Sequence, residues 1–143
     1  MSRWRRARPD DEDGSVLILT LGYAVLALVA VLICVDATSM YLAQKRLDSL
    51  ADAAALAGAD GFTLTLDDSA EPTALLTDDG VHAQAEALVA DVGGEAVLVA
   101  ADTPDGLSAR VTVAGAWHPP VLTMFVPDGV ALEATATSRT ALR

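Results

Sequence analysis

The chain has 143 residues, of which 52% are apolar, and it carries a formal net charge of −11. Residues 1–14 contain four Arg and four acids, so their net charge is zero, whereas the chain beyond residue 35 contains 16 acids and five Lys or Arg. Phosphate binding requires clustered cations, so this acidic body argues against a nucleic-acid partner, and the length allows at most one globular domain.

An uncharged apolar run of 21 residues follows the N-terminal tail (residues 1–14) and extends from Ser15 to Val35. As a helix it would be about 31 Å long, close to the hydrocarbon thickness of a bilayer. The apolar region of a cleaved signal peptide is shorter, roughly 7–15 residues. The run therefore predicts an uncleaved single-pass anchor that ends at Asp36, because an acid is costly inside the bilayer.

The cations flanking the run predict its orientation. Arg3, Arg5, Arg6 and Arg8 precede it, whereas the pair Lys45-Arg46 comes ten residues after it. Cytoplasmic flanks carry the excess of Lys and Arg. We therefore expect a cytoplasmic N-terminus, a transmembrane helix over residues 15–35, and an extracytoplasmic domain over residues 36–143 in the cell membrane.

The helical pattern continues past the apolar run without a breaker, which predicts one helix from about Ser15 to Ala57. Gly58 and Gly61 are expected to end it. Its outer part has an apolar stripe at three- and four-residue spacing, formed by Met40, Ala43, Leu47, Leu50, Ala54 and Ala57. The polar residues lie mostly off this stripe, namely Asp36, Gln44, Lys45, Asp48 and Asp52.

This helix ends in the alanine-rich segment "LADAAALAGAD" (residues 50–60). Small residues recur there at every fourth position, as Ser49, Ala53, Ala57 and Gly61. Alanine is the best helix former, so the segment could be only a stiff stalk. A ridge of small residues also permits close approach, so the alternative is a docking face for the protein's own sheet or for another subunit's helix.

The second half of the chain predicts one more helix and a sheet. Residues 59–77 give little signal beyond a short strand in "GFTLTL" and a loop after it. A helix is expected from about Asp78 to Val92, with Gly93-Gly94 as its end. Its predicted inner face consists of Val81, Ala85, Leu88 and Val92.

Three strands are predicted after this helix. The first, residues 95–102, is apolar on both faces and is therefore expected to be central. The turn "TPDG" (residues 103–106) leads into a strand over 107–115, with Leu107, Ala109, Val111 and Val113 facing inward. The third, over 130–140, has Val130, Leu132, Ala134 and Ala136 facing inward. The predicted fold is α+β, with a small three- to four-stranded antiparallel sheet.

Several features of residues 12–60 occur in order at compact spacing: Gly14 before the apolar run, Val35-Asp36 at its end, Tyr41-Leu42-Ala43, Lys45-Arg46, and the alanine block from Ala51 to Ala59. In these features the segment resembles the N-terminal part of TadE/TadG-like proteins of the tight-adherence (Flp) pilus system. The resemblance implies a pilin-like fold and a structural membrane component of a pilus-assembly or secretion apparatus. It also implies other pilus-assembly subunits as partners through helix packing, with oligomer formation as an option.

The resemblance also raises the question of cleavage. Pilins and pseudopilins of this system are cut after a Gly and typically carry Glu at the fifth mature position. A cut between Gly14 and Ser15 would place Leu19 at that position. An uncut, TadG-like membrane protein is therefore expected.

The residues predict no enzyme, cofactor or metal site. His82 and His118 lack a neighbouring nucleophile motif, and Cys34 lies in the bilayer segment, where a thiolate is implausible. The acid pairs Asp67-Asp68, Asp78-Asp79 and Asp102 with Asp105 match no calcium loop, so a solvated face or a helix start explains them better.

Two further interpretations stay open at this point. Trp117 and Phe125 flank two prolines; we expect them to cap the sheet, with the membrane surface or a partner as alternatives. For the chain as a whole, the alternative to a pilus-assembly component is a membrane-tethered extracellular binding or adhesion module.

Overall fold

A computed structural model of the chain describes residues 10–65 and 73–139. The elements in chain order are α1 (Asp10–Ala59), β1 (Thr63–Thr65), β2 (Thr73–Leu75), α2 (Asp78–Val92), β3 (Val97–Asp102), β4 (Ser108–Trp117) and β5 (Val130–Arg139). The α+β prediction is confirmed. The predicted acid pair Asp67-Asp68 lies outside the described residues.

Helix α1 runs for 50 residues without interruption, which corresponds to about 75 Å. Its side chains between Gly14 and Val35 are exposed, apart from the half-buried Leu32. Burial starts with Asp36 and becomes dense from Leu47 onward. The helix therefore has a bare apolar half and a half that packs against the rest of the molecule, as the sequence predicted.

Helix α2 has the limits that its sequence predicted, because its ends carry capping signals. The Thr77 hydroxyl accepts a hydrogen bond from the Gly80 N–H at 3.2 Å, and Asp78 and Asp79 fill the first turn. The buried face is Val81, Ala85 and Val89, with Leu88 half-buried. Val92, predicted on this face, is 63% exposed because it lies one turn past the sheet-covered part.

Strands β3, β4 and β5 form an antiparallel sheet in the order β3-β4-β5, and β1 pairs with β2 in a separate hairpin. β4 and β5 pair along their whole length, from Ser108 opposite Arg139 to Trp117 opposite Val130. The prediction that the first of these three strands is central was wrong. β3 is an edge strand, with a bulge between Leu98 and Ala100, and its apolar residues are divided between α2 and solvent.

Alternation along β4 and β5 directs one face of the sheet toward the two helices. The inward residues that are buried are Ala109, Val111, Val113, Leu132, Ala134 and Ala136. Leu107 and Val130, which were also predicted inward, are 44% and 37% exposed because they lie at the ends of the strands, beyond the helical cover. The segment after β1, predicted as loop, contains the short strand β2.

Candidate functional site

The outer half of α1, from residue 36 to Ala59, carries most of the small-residue ridge that the sequence interpreted as either a stiff stalk or a docking face, and its two sides differ. The inner side is fully buried at Ala51, Ala54 and Ala55. Gly58 lies so close to its neighbours that an added Cβ would be 3.0 Å from Val81 Cγ1 and 3.3 Å from Ala109 Cβ. The alanines on this side therefore let α2 and β4 approach the helix backbone.

The four small residues predicted as a ridge are divided between these two sides. Ser49 and Ala53 are exposed on the outer side, and Ala57 is half-buried. Gly61 belongs to the contact with α2, where an added Cβ would be 2.9 Å from the Gly80 carbonyl oxygen. The ridge is thus half internal packing and half free surface, a division that depends on where the sheet docks.

The exposed part of the ridge lies in a wider strip on α1, which we call the outer strip. It consists of Leu42, Ser49, Ala53 and Leu56, with the exposed Arg46 on the same side between Leu42 and Ser49, and its two leucines are 51% and 60% exposed. Helical spacing places these residues on one side of the helix. The outer strip leaves a second helix room to approach at its centre and offers apolar contact at both ends.

Polar contacts hold the outer half of α1 against the sheet. The Gln44 side-chain amide donates to the Glu133 carbonyl oxygen on β5 and to Asp48 Oδ1, each at 3.0 Å. The hydrogen bond from Gln44, followed by that from Lys45 at 3.0 Å, lowers the pKa of Asp48. The same contact with Asp48 raises the pKa of Lys45, whose ammonium also lies 5.9 Å from the Tyr41 ring.

The end of the apolar half is covered by the connection between β4 and β5. The Trp117 indole N–H donates to Ser39 Oγ at 3.1 Å, and the Val121 N–H donates to Asp36 Oδ1 at 3.3 Å. Asp36 was predicted to lie off the buried stripe, but it is only 7% exposed because this connection covers it. Its Oδ2 is buried and has no hydrogen-bond partner among the described residues.

Of the two aromatic residues expected to cap the sheet, one does so. Trp117 is half-buried and packs against the core. Phe125 is 80% exposed and touches solvent over most of its surface, so the capping prediction is wrong for this residue.

An open, mainly apolar groove of about 720 Å³ runs from the apolar half of α1 to Trp117, with Cys34, Leu42 and Arg46 among its lining residues.

The two histidines and the described acid pairs lie apart from one another. His82 contacts Glu86 at 3.6 Å on the exposed side of α2, and His118 is exposed in the β4–β5 connection. Asp78 Oδ1 accepts the Thr103 N–H at 2.8 Å, which ties α2 to the β3–β4 turn. Within residues 10–65 and 73–139, no three His, Cys, Asp or Glu side chains come together as metal ligands.

The segment that contains α1 is similar to a known protein family. Residues 14–61 match the family described as putative Flp pilus-assembly TadE/G-like. The resemblance found in the sequence is confirmed, and the matched segment is related to Flp pilus assembly. No curated protein and no solved structure matches the chain.

The limits of the TadE/G-like match agree with the structure. It begins at Gly14, where the apolar half of α1 starts, and ends at Gly61, which follows α1 by two residues and contacts α2. Among the described residues, α1 is long and apolar enough to cross a membrane. The family segment is therefore this helix with both of its halves, whereas the sheet lies beyond the match.

Proposed function

We propose that the chain is a structural, single-pass, membrane-anchored component of a Flp/Tad-type pilus assembly or secretion apparatus. The observation that carries the proposal is the TadE/G-like match over residues 14–61, which coincides with one uninterrupted helix. That helix joins a bare apolar half to a packed half. The chain would act by holding its α+β body at a fixed position on the membrane.

The bare half of α1 supports the membrane placement on energetic grounds. Leu17, Ile18 and Leu26 are 71%, 73% and 64% exposed, and their neighbours along the helix are similar. A fully buried aliphatic side chain gains about 1.5–3 kcal/mol relative to an exposed one. Over the whole run this is a large free energy, and a bilayer is the environment that would provide it.

The proposed orientation places the N-terminus in the cytoplasm and the body outside. Its support is the distribution of cations, since Arg3, Arg5, Arg6 and Arg8 precede the apolar half. Lys45 lies farther from the boundary on the other side and pairs with Asp48 at 3.0 Å. The positive-inside rule favours the flank with more Lys and Arg.

The proposed mode of action is helix packing rather than catalysis. The outer strip on α1 is the surface we assign to a helix of another pilus-assembly subunit, or of a second copy. Support comes from the exposed Ser49 and Ala53 at its centre, because small residues let helix backbones approach closely. We assign no nucleic-acid partner and no cofactor to this chain.

Protease shaving of intact cells that carry the full chain with a C-terminal tag tests the proposal. We expect the tag to be digested from outside, whereas a tag before residue 1 is protected until the cells are opened. A C-terminal tag that is protected in intact cells and digested after lysis would contradict the orientation.

Crosslinking in the same cells tests the assembly role. We expect pilus-assembly subunits to be recovered with the full chain from the membrane fraction. Genes for an assembly ATPase and a polytopic platform protein beside this one would agree with that result. Recovery of an extracellular ligand without such subunits would favour a membrane-tethered binding module instead.

A further inference from the structure

The connection between β4 and β5, residues 118–129, carries the most exposed large apolar side chains of the described residues. Met124 is 92% exposed and Phe125 is 80% exposed, and Val121 and Leu122 are exposed by 39% and 42%. The backbone turns tightly here, since the Phe125 and Val126 N–H groups both donate to the Leu122 carbonyl oxygen. These four side chains are thus held together in one small patch.

The position of this patch along α1 can be read from three contacts of β4 and the connection. An added Cβ at Gly115 would be 3.3 Å from Leu47, Trp117 bonds to Ser39, and Val121 bonds to Asp36. The chain therefore descends along α1 toward its apolar half. At Val121, the first residue of the patch, it contacts Asp36, which adjoins the apolar half.

The charge of the connection differs from that of the rest of the body. Between residues 118 and 129, Asp128 is the one Asp, Glu, Lys or Arg, whereas the chain beyond residue 35 has 16 acids. A contiguous apolar patch on a soluble surface marks an interaction site. With α1 across the bilayer as proposed, the surface at this level of the helix is the membrane interface, because the boundary of the apolar half lies at Val35 and Asp36.

We propose that Val121, Leu122, Met124 and Phe125 insert into the interfacial layer of the leaflet from which α1 emerges. This second membrane contact rests on the proposed function, in that α1 must span the bilayer. Apolar side chains bind at this depth by burying about 5–10 Å into the boundary between headgroups and acyl chains. With α1 and the patch both in contact with the bilayer, the tilt of the body against the membrane surface is restricted, and the outer strip stays at one height and angle above that surface.

Spin labels on the full chain in vesicles of phosphatidylcholine and phosphatidylglycerol test this proposal. Cys34→Ala removes the native thiol, and single cysteines are then introduced as Met124→Cys, Leu26→Cys or Val92→Cys. Electron paramagnetic resonance measures collisions of each label with oxygen, which enters lipid, and with a nickel chelate, which stays in water. Val92 is the matched control, since it is also an exposed apolar residue but adjoins Gly93, which lines a small separate pocket beside Arg46, farther along α1 from the apolar half than Asp36.

The label at residue 26 is expected to collide often with oxygen and rarely with the nickel chelate. The label at residue 92 is expected to collide often with the nickel chelate and rarely with oxygen. At residue 124 we expect a ratio of nickel to oxygen collisions several-fold lower than at 92. Equal ratios at 124 and 92, with residue 26 protected, would overturn the membrane contact and leave the proposed function standing. A label at 26 that is open to nickel would overturn the membrane placement itself.

The same measurement with Phe125→Cys repeats the test at a second exposed position of the patch. Protection of both labels supports insertion of the patch as a unit. Protection at 124 together with an equally protected label at 92 would overturn the proposal, because the body would then lie on the lipid without using a particular loop.

Discussion

Asp105 shows how one side chain organises the turn between β3 and β4. Its Oδ1 accepts the N–H groups of Leu107 and Ser108 at 3.0 and 2.6 Å, and its Oδ2 accepts the Ser108 hydroxyl at 3.0 Å. Arg139 on β5 adds a contact at 3.4 Å. Gly106 follows with a φ of +70°, which glycine adopts at little cost. The sequence "TPDG" predicted this turn, and the prediction is confirmed.

The hydrogen bonds from the Leu107 and Ser108 N–H groups lower the pKa of Asp105 to about 2. A lowered pKa means that the folded state favours the carboxylate, so its contribution to stability is present above the ordinary pKa of 3.8 and is lost as the pH falls toward 2. We predict that Asp105→Asn lowers the unfolding temperature at neutral pH. The difference from wild type should shrink between the ordinary and the lowered pKa.

Thermal unfolding of the full chain in detergent micelles, followed by circular dichroism across this pH range, measures the effect. Asp91→Asn is the control, because Asp91 is an exposed acid on α2 away from the turn. A constant difference between Asp105→Asn and wild type at every pH would show that the carboxylate charge is not what stabilises the turn.

At the scale of elements, the alanines in the outer half of α1 have two different environments. Ala54 is fully buried against the sheet and α2, whereas its neighbour Ala53 is exposed on the outer strip. Both residues have the same intrinsic helix propensity, so propensity cannot distinguish them. Their surroundings distinguish them, since Ala54 has no free volume around it whereas Ala53 faces open space.

We therefore predict that added bulk destabilises the fold at one of these adjacent positions and hardly affects it at the other. Ala54→Phe should lower the free energy of unfolding by about 1–3 kcal/mol or more, because a packed site must be forced apart. Ala53→Phe should change it by less than about 0.5 kcal/mol, as is usual for surface sites. If the outer strip docks a partner helix, Ala53→Phe should nevertheless reduce recovery of the partner subunits.

Thermal unfolding and crosslinked co-purification, each done on the full chain at equal membrane levels, separate these effects. Asp52→Phe serves as a second surface control, since Asp52 is exposed beside Ala53. Equal recovery of partners with Ala53→Phe and with wild type would leave the outer alanines explained by helix propensity alone.

At the scale of the whole molecule, α1 is one continuous helix that connects its bare apolar half rigidly to the body. No break occurs between Asp10 and Ala59, and Gly14 and Gly22 both lie within the helix. The body packs directly on the continuation of the apolar half, so displacement of the body must also move that half. A structural component of an assembly apparatus would use this stiffness to hold its surface in place.

Processing is a property of the chain as a whole, and we predict that the membrane form keeps residues 1–14. Leu19 stands where pilins cut after Gly14 would carry an acid, and it is 61% exposed on the bare half of α1. An apolar side chain there is suited to lipid contact rather than to pairing with another N-terminus. Intact-mass measurement of the purified membrane protein decides this, and a mature N-terminus at Ser15 would refute it.

Local features of the sequence were sufficient to predict both helices and the three strands that follow α2, but not β2. The uncharged run predicted the bare half of α1, and the apolar spacing from Asp78 onward, followed by Gly93-Gly94, predicted both limits of α2. These features act within a few residues of the chain, through capping hydrogen bonds and through the cost of placing a charge among apolar neighbours. The TadE/G-like match over residues 14–61 falls within this readable part.

Contacts between distant segments were decided only by the tertiary structure. β3 looked central because it is apolar on both faces, yet it lies at the edge, since strand order depends on which segments pair across the sheet. Likewise, a helical pattern marks Ser49 to Gly61 as a ridge but cannot show where the sheet docks on it. The β4–β5 connection folds back onto α1, where Val121 contacts Asp36 across 85 positions of sequence. This contact buries Asp36 and leaves Phe125 exposed, and neither outcome follows from local sequence.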